Sequence, residues 1–310
     1  MVDTHPVPVT PARPAEAARL MRWASLASMA VATILIGFKT VAWLLTDSVS
    51  MLSSLVDSSL DLISSFITFI AIRQALQPAD AEHRFGHGKA EALAGVAQAG
   101  FIAASAGGLL LTVFDRVLHP RPVQQENLGM LVSGLAVVLT LALMTFQNFV
   151  IRRTSSLAIG ADRAHYATDF VTNIAVGVGI LLATRLDQPM IDLIVASGVS
   201  IYLAASAWSI ARTSIDVLMD RELPDRDRQK IFDIVLAQPG VRSAHDLRTR
   251  SAGLTKFIQL HVVFHPNMSL GRAHVMGDSI EAAILEAFPR SEVILHIDPW
   301  NDDEPHVSPD

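Results

Sequence analysis

Six apolar stretches, each long enough to cross a bilayer, dominate this chain of 310 residues. They run over about 20–46, 48–76, 90–115, 127–151, 157–184 and 190–213. About 20 helical residues cross a hydrocarbon core of about 30 Å, so every stretch suffices. Proline placement divides the chain in the same way. Pro78, Pro120, Pro122, Pro189 and Pro224 fall between or just after the stretches, and no proline falls inside one. Because proline removes a helical hydrogen bond, this distribution predicts six uninterrupted transmembrane helices over 19–214.

Basic residues orient the helices. Arg13, Arg19 and Arg22 precede the first; Arg73, Arg84 and Lys89 flank the second connection; Arg152, Arg153 and Arg163 flank the fourth; Arg212 and Arg221 follow the sixth. The other side carries Arg116, Arg121 and Arg185. The positive-inside rule then puts both termini in the cytoplasm, in agreement with an even number of spans. Residues 1–18, rich in Pro, Thr and Ala without an apolar core, read as a disordered tail rather than a signal peptide. The first span is left to serve as the targeting signal. Lys39, toward the outer end of that span, reads as a lysine snorkelling to the interface, with a gating lysine as the alternative.

The composition is that of a membrane protein: 51% of residues are hydrophobic and 17% charged, against about a quarter charged in soluble domains. There is no cysteine, which excludes disulfides, thiolate zinc sites and iron–sulfur clusters. The ten methionines, most of them within the apolar stretches, read as core filling rather than thioether ligands. A net charge of -6 with no basic stripe gives no support to a nucleic-acid partner.

From about Glu222 the pattern changes. Residues 225–237 have helical apolar spacing that Pro239-Gly240 ends. Two extended runs follow, 241–250 and 255–264, with Ser251-Ala252-Gly253 as the turn between them. A second helix over 270–288 and a strand over 291–297 complete an α-β-β-α-β order. This predicts a small cytoplasmic α+β domain over 215–299, a sheet covered on one face by helices, with 300–310 as an acidic disordered tail.

Two carboxylates, Asp57 and Asp61, lie one turn apart inside the second stretch. An aspartate at mid-membrane depth costs roughly 2.5–3.5 kcal/mol on insertion scales, so such a pair needs a reason. A second pair, His165 and Asp169, has the same i, i+4 spacing in the fifth stretch, which runs in the opposite direction. That spacing puts both members of each pair on one helix face. Counted from Arg73 and Arg153, both pairs lie roughly 18–24 Å from the inner basic markers, provided that 154–160 is helical. Three carboxylate ligands and one imidazole then converge, a set suited to Zn²⁺, Cd²⁺, Fe²⁺, Mn²⁺ or Co²⁺. The bland alternative is a set of polar helix–helix contacts or a proton relay without metal. These ligands must lose protons to bind metal, and an imidazole titrates near physiological pH, so the expected chemistry is metal/proton antiport.

The strings DSVSMLSSLVDSSLD, LQPADAEHRFGHGKAEALA, ADRAHYATD, AHDLRTR and VILHIDP resemble the cation diffusion facilitator family, on the side of its bacterial zinc and ferrous-iron efflux pumps. The resemblance covers about residues 20–299. It implies that Asp57, Asp61, His165 and Asp169 form the transport site, and that Zn²⁺, Cd²⁺, Fe²⁺ or Mn²⁺ leaves the cytoplasm while protons enter. It further implies a loop site at Asp80, His83 and His87, for which plain surface histidines are the alternative reading. A cytoplasmic-domain site is implied at His245, His261, His274, His296 and Asp298, in a metallochaperone-like (ferredoxin-like) domain that also holds structural metal. His265, before Pro266, falls outside that pattern and reads as a turn residue. Ile297 stands where the compared pumps have glutamine, which removes a possible oxygen ligand. Lys89 and Asp220 match a charge pair that helps to hold a homodimer; two solvated helix-end residues are the alternative. The location implied is the bacterial inner membrane.

A membrane-anchored metal sensor is the rival reading, but a sensor gains nothing from ligands deep in the bilayer. A hydrolytic metalloenzyme needs an open coordination position beside a general base, and no motif marks one.

Overall fold

The structure, a computed structural model, describes residues 13–46, 49–118, 127–186 and 190–301. It divides into two compact units, Met1–Ile215 and Asp216–Asp310. The helices α1 (Pro14–Thr46), α2 (Val49–Ala75), α3 (Ala90–Leu118), α4 (Asn127–Thr154), α5 (Leu157–Leu186) and α6 (Met190–Leu218) correspond to the six predicted spans. Among the described residues, five of these helices are long and apolar enough to cross a membrane. The helix α5, 30 residues long, carries Asp162, Arg163, His165 and Asp169 in its first half.

The membrane unit is packed through small side chains. Ala17, Ala24 and Ala32 of α1 and Ala92, Ala99 and Ala106 of α3 are buried, while Leu111, Ile201 and Trp208 face outward. Lipid tails are as apolar as leucine, so helices gain by close approach rather than by hiding large side chains. At Gly95, α3 comes close to α6. A Cβ on Gly95 would lie 2.2 Å from the Ser214 hydroxyl.

Two sequence expectations change here. α1 begins at Pro14, where a proline suits the first helical position, so residues 14–18 of the expected tail are helical. Glu16 in that turn pairs with Arg153 of α4 at 3.0 Å. The remaining tail segments, 1–12 and 302–310, lie outside the described residues. The segment 154–160 is not one helix either. Ser155 takes φ 55° between α4 and α5, and the Ser156 hydroxyl caps α5 by accepting from the Ile159 amide at 3.4 Å. The depth count from Arg153 therefore crosses a chain reversal. Measured along the helices, His165 is about 12 Å from the start of α5 and Asp61 about 21 Å from the end of α2. They still meet, because α2 overhangs α5 by the difference.

In the second unit, α7 (Asp225–Leu236), β1 (Ser243–Ala252), β2 (Thr255–Phe264), α8 (Leu270–Ala287) and β3 (Ser291–Pro299) follow the predicted order. The sheet order is β1-β2-β3, with the first pair antiparallel and the second parallel. Strand β1 extends through Ser251 and Ala252, so the turn is Gly253-Leu254, with Gly253 at φ 59°. A two-residue hairpin loop favours glycine at its first position for this reason. Ile231, Phe232 and Val235 of α7, Ile280 and Ile284 of α8, and Ile258, Leu260, Val262 and Phe264 of β2 form the core. The even-numbered residues of β2 face the helices, which leaves its odd-numbered positions on the opposite face.

Candidate metal sites

Of the intramembrane quartet, three members come together. His165 Nε2 lies 3.2 Å from Asp61 Oδ1 and 3.6 Å from Asp169 Oδ2. One ligand atom from each of the three residues falls within 4.8 Å of the others. His165 Nδ1 and Asp169 Oδ2 are buried without a hydrogen-bond partner, an uncommon state for buried polar atoms. Asp57 lies one turn away on α2, is exposed, and is not in this cluster.

Lys39 does not snorkel. Its ammonium turns into the protein and donates to Ser58 Oγ at 2.6 Å and the Ser54 carbonyl at 3.1 Å, both on α2. Beneath the cluster lies a second carboxylate environment, that of Asp162, wholly buried. Its Oδ2 accepts from Ser28 Oγ of α1 at 2.6 Å and Gln147 Nε2 of α4 at 2.7 Å. Gln98 of α3 carries the network to α2, donating to Thr68 Oγ1 at 2.8 Å and accepting from Ser64 Oγ at 2.6 Å. The start of α5 is held from α3: buried Glu91 accepts from Ser156 Oγ at 2.5 Å and the Ala158 amide at 3.3 Å. A carboxylate beside a helix N-terminus is favoured by the helix dipole.

The loop after α2 gathers Asp80, His83 and His87, with one ligand atom of each within 4.8 Å of the others. His87 Nε2 is 3.3 Å and His83 Nδ1 3.5 Å from the Asp80 carboxylate. The His83 backbone amide above all, with that of Glu82, donates to Asp80 Oδ1 and holds its carboxyl below the usual range in spite of desolvation. The residue is thus an anion already oriented by its own loop.

In the cytoplasmic unit, strand register makes the site. His245 pairs with His261, and His261 with His296, so three histidines lie in a row across three strands. Their neighbouring ring centroids are 5.0 and 4.6 Å apart. His261 Nδ1 approaches Asp298 Oδ2 to 2.8 Å, and His296 Nε2 approaches Asp298 Oδ1 to 3.2 Å. His245, His261 and Asp298 each offer an atom within 4.8 Å of the others, a donor set that fits a divalent ion. A bulge in β1 at Asp246, φ 46°, brings a further carboxylate to 3.7 Å from His261. The Arg248 side chain beside Asp246 holds that carboxyl low. His274 does not join: it lies exposed on α8, on the helical side of the sheet, 3.7 Å from Asp278. Ile297 also faces that side, its Cδ1 against Gly277 of α8, so it takes no ligand from the histidine row. His265 is in a turn, accepting from the Asn267 amide at 3.2 Å.

Residues 25–219 match the family model of the cation efflux transmembrane domain, and 223–300 that of the cation efflux protein cytoplasmic domain. The cation-efflux pump FieF of Klebsiella pneumoniae subsp. pneumoniae is 46% identical over 281 residues, covering 91% of this chain and 93% of that protein. The chain belongs to the cation efflux family. FieF of Cronobacter sakazakii matches at 46% and that of Salmonella choleraesuis at 44%, over the same shares of each chain. A solved structure of the zinc form of the transporter CzrB is 27% identical, with 28% of this chain covering 99% of it. Its TM-score to this chain is 0.26.

As a member of the cation efflux family the chain is a multi-pass membrane transporter. Sequence reasoning passed over the inward turn of Lys39, the Asp162 network, the Glu91 cap and Asp246. Two of these left a signal: Glu91 and Asp162 are carboxylates in the opening turns of long membrane-spanning helices.

Proposed function

We propose that this transporter exports a divalent cation, Zn²⁺ with Cd²⁺ and Fe²⁺ as further cargoes, from the cytoplasm in exchange for protons. The observation that carries the reading is the meeting of Asp61 from α2 with His165 and Asp169 from α5 inside membrane-spanning helices. Asp57, on the same face of α2, swings in as the fourth ligand by a side-chain rotation when the ion enters. The cation replaces protons on the carboxylates and imidazole, and their reprotonation releases it after access has switched sides. The loop cluster at Asp80, His83 and His87 and the row of His245, His261, His296 and Asp298 bind metal on the cytoplasmic side. In the homodimer Lys89 and Asp220 form a charge link. The relatives named as cation-efflux pumps support the cargo class and direction, and the basic-residue pattern supports an inner-membrane protein with both termini in the cytoplasm.

Purified protein in liposomes with an imposed pH gradient is expected to move Zn²⁺ or Cd²⁺ while counter-moving protons. Asp61→Ala abolishes that flux without unfolding the protein. Undiminished flux in both the Asp61→Ala and His165→Ala proteins sinks the reading.

A further inference from the structure

Lys39 is a charged residue within a membrane-spanning helix, half-buried and turned into the protein. Its anchor is specific. Ser58, whose hydroxyl it holds at 2.6 Å, is 1% exposed and sits between Asp57 and Asp61 on α2. The ammonium is thereby kept off the carboxylates yet within electrostatic reach of Asp57, Asp61 and Asp169. Asp162 does not compete for it, because Ser28 and Gln147 satisfy that carboxylate from other helices.

We propose that Lys39 is the fixed counter-charge of the transport site, held aside by Ser58 so that the site carries no net charge when a divalent ion is bound. The count is simple. Three carboxylates carry three negative charges; the divalent ion cancels two, the ammonium cancels the third, and a ligating imidazole is neutral. Net charge in a low-dielectric interior is expensive, so a neutral loaded site is the one that passes most readily through an occluded state. The same count disfavours a monovalent ion, which leaves the site negative. Lys39 is thus a positioning and valence-setting residue rather than a ligand. This inference rests on the transport-site reading above.

The test is zinc titration of the full-length protein in nanodiscs against a competing chelator, paired with flux in liposomes. The binding step that Asp61→Ala removes is assigned to this site. Lys39→Met is expected to tighten that step at least about tenfold, by deleting a nearby positive charge, while turnover falls. Ser58→Ala is expected to do the reverse: the unanchored ammonium swings onto the carboxylates and weakens zinc binding. Opposite shifts in the two variants are a signature that a packing role does not produce. An unchanged step in Lys39→Met, or shifts of the same sign in both variants, overturns the proposal. If Lys39→Met does not fold, Ser58→Ala decides alone: weakened binding upholds the proposal and unchanged or tightened binding overturns it. If Asp61→Ala removes no step, the transport-site reading itself fails and this inference with it.

Discussion

Asp162 shows what a single buried acceptor does in a helical bundle. Its Oδ2 takes one donor from α1 and another from α4, while its own backbone belongs to α5. Removing it takes the shared carboxylate acceptor from the Ser28 hydroxyl and the Gln147 amide, which keep only the longer bonds to the Ala24 carbonyl at 3.2 Å and to Ser28 Oγ at 3.0 Å. Asp162→Ala is expected to cost about 2–4 kcal/mol. Asp162→Asn, which can keep an oxygen at the Oδ2 position, should cost clearly less. Thermal unfolding of the two variants in detergent measures the difference, and equal losses contradict this account of the network. His165 and Asp169 present the opposite case. Their partnerless atoms are polar groups that the fold leaves open, one turn from a network in which almost every donor is spent.

At the scale of elements, the site depends on where α5 begins, and the packing of the bundle on how closely α3 approaches α6 at Gly95. The α5 start is set locally by Ser156 and from α3 by Glu91. The α3–α6 approach depends on Gly95, since an added methyl would come within 2.2 Å of Ser214 Oγ. Gly95→Ala is expected to destabilise by about 1–3 kcal/mol through overpacking. Ser214→Ala removes the clashing oxygen and should recover part of that loss in the double variant. A double-mutant cycle on unfolding midpoints reads the coupling, and strict additivity of the two changes is the result that rejects it.

For the whole molecule, the metal chemistry divides between two units. Every member of the α2/α5 cluster lies in Met1–Ile215, and every member of the histidine row in Asp216–Asp310. His261 is the centre of that row, pairing with His245 on one side and His296 on the other. His261→Ala in the full chain should therefore lower zinc stoichiometry and reduce the gain in melting temperature on adding zinc. Flux through the membrane unit should persist. Loss of flux equal to that of Asp61→Ala would mean that the cytoplasmic site takes part in transport itself.

Much of this architecture was legible before any coordinates. Apolar length, proline punctuation and the α-β-β-α-β order are local properties, and they place all six spans and five cytoplasmic elements, with the largest boundary miss at the start of α1. The i, i+4 pairs at Asp57/Asp61 and His165/Asp169 were equally visible, because helix period is a local rule. Convergence is not local. The chain reversal at Ser155, the overhang of α2 beyond α5, and the separation of Asp57 from the other three arise from helix packing, which apolar periodicity does not encode. Lys39 was misjudged for a related reason: its direction depends on Ser54 and Ser58 of a neighbouring helix, not on its depth in its own. In the cytoplasmic unit the histidines could be counted, but only strand register aligns His245, His261 and His296 and leaves His274 across the sheet. Sequence thus specifies which ligand types this protein has and on which elements they ride. The tertiary structure decides which of them meet, because contacts between distant segments depend on register and packing that no short window of residues contains.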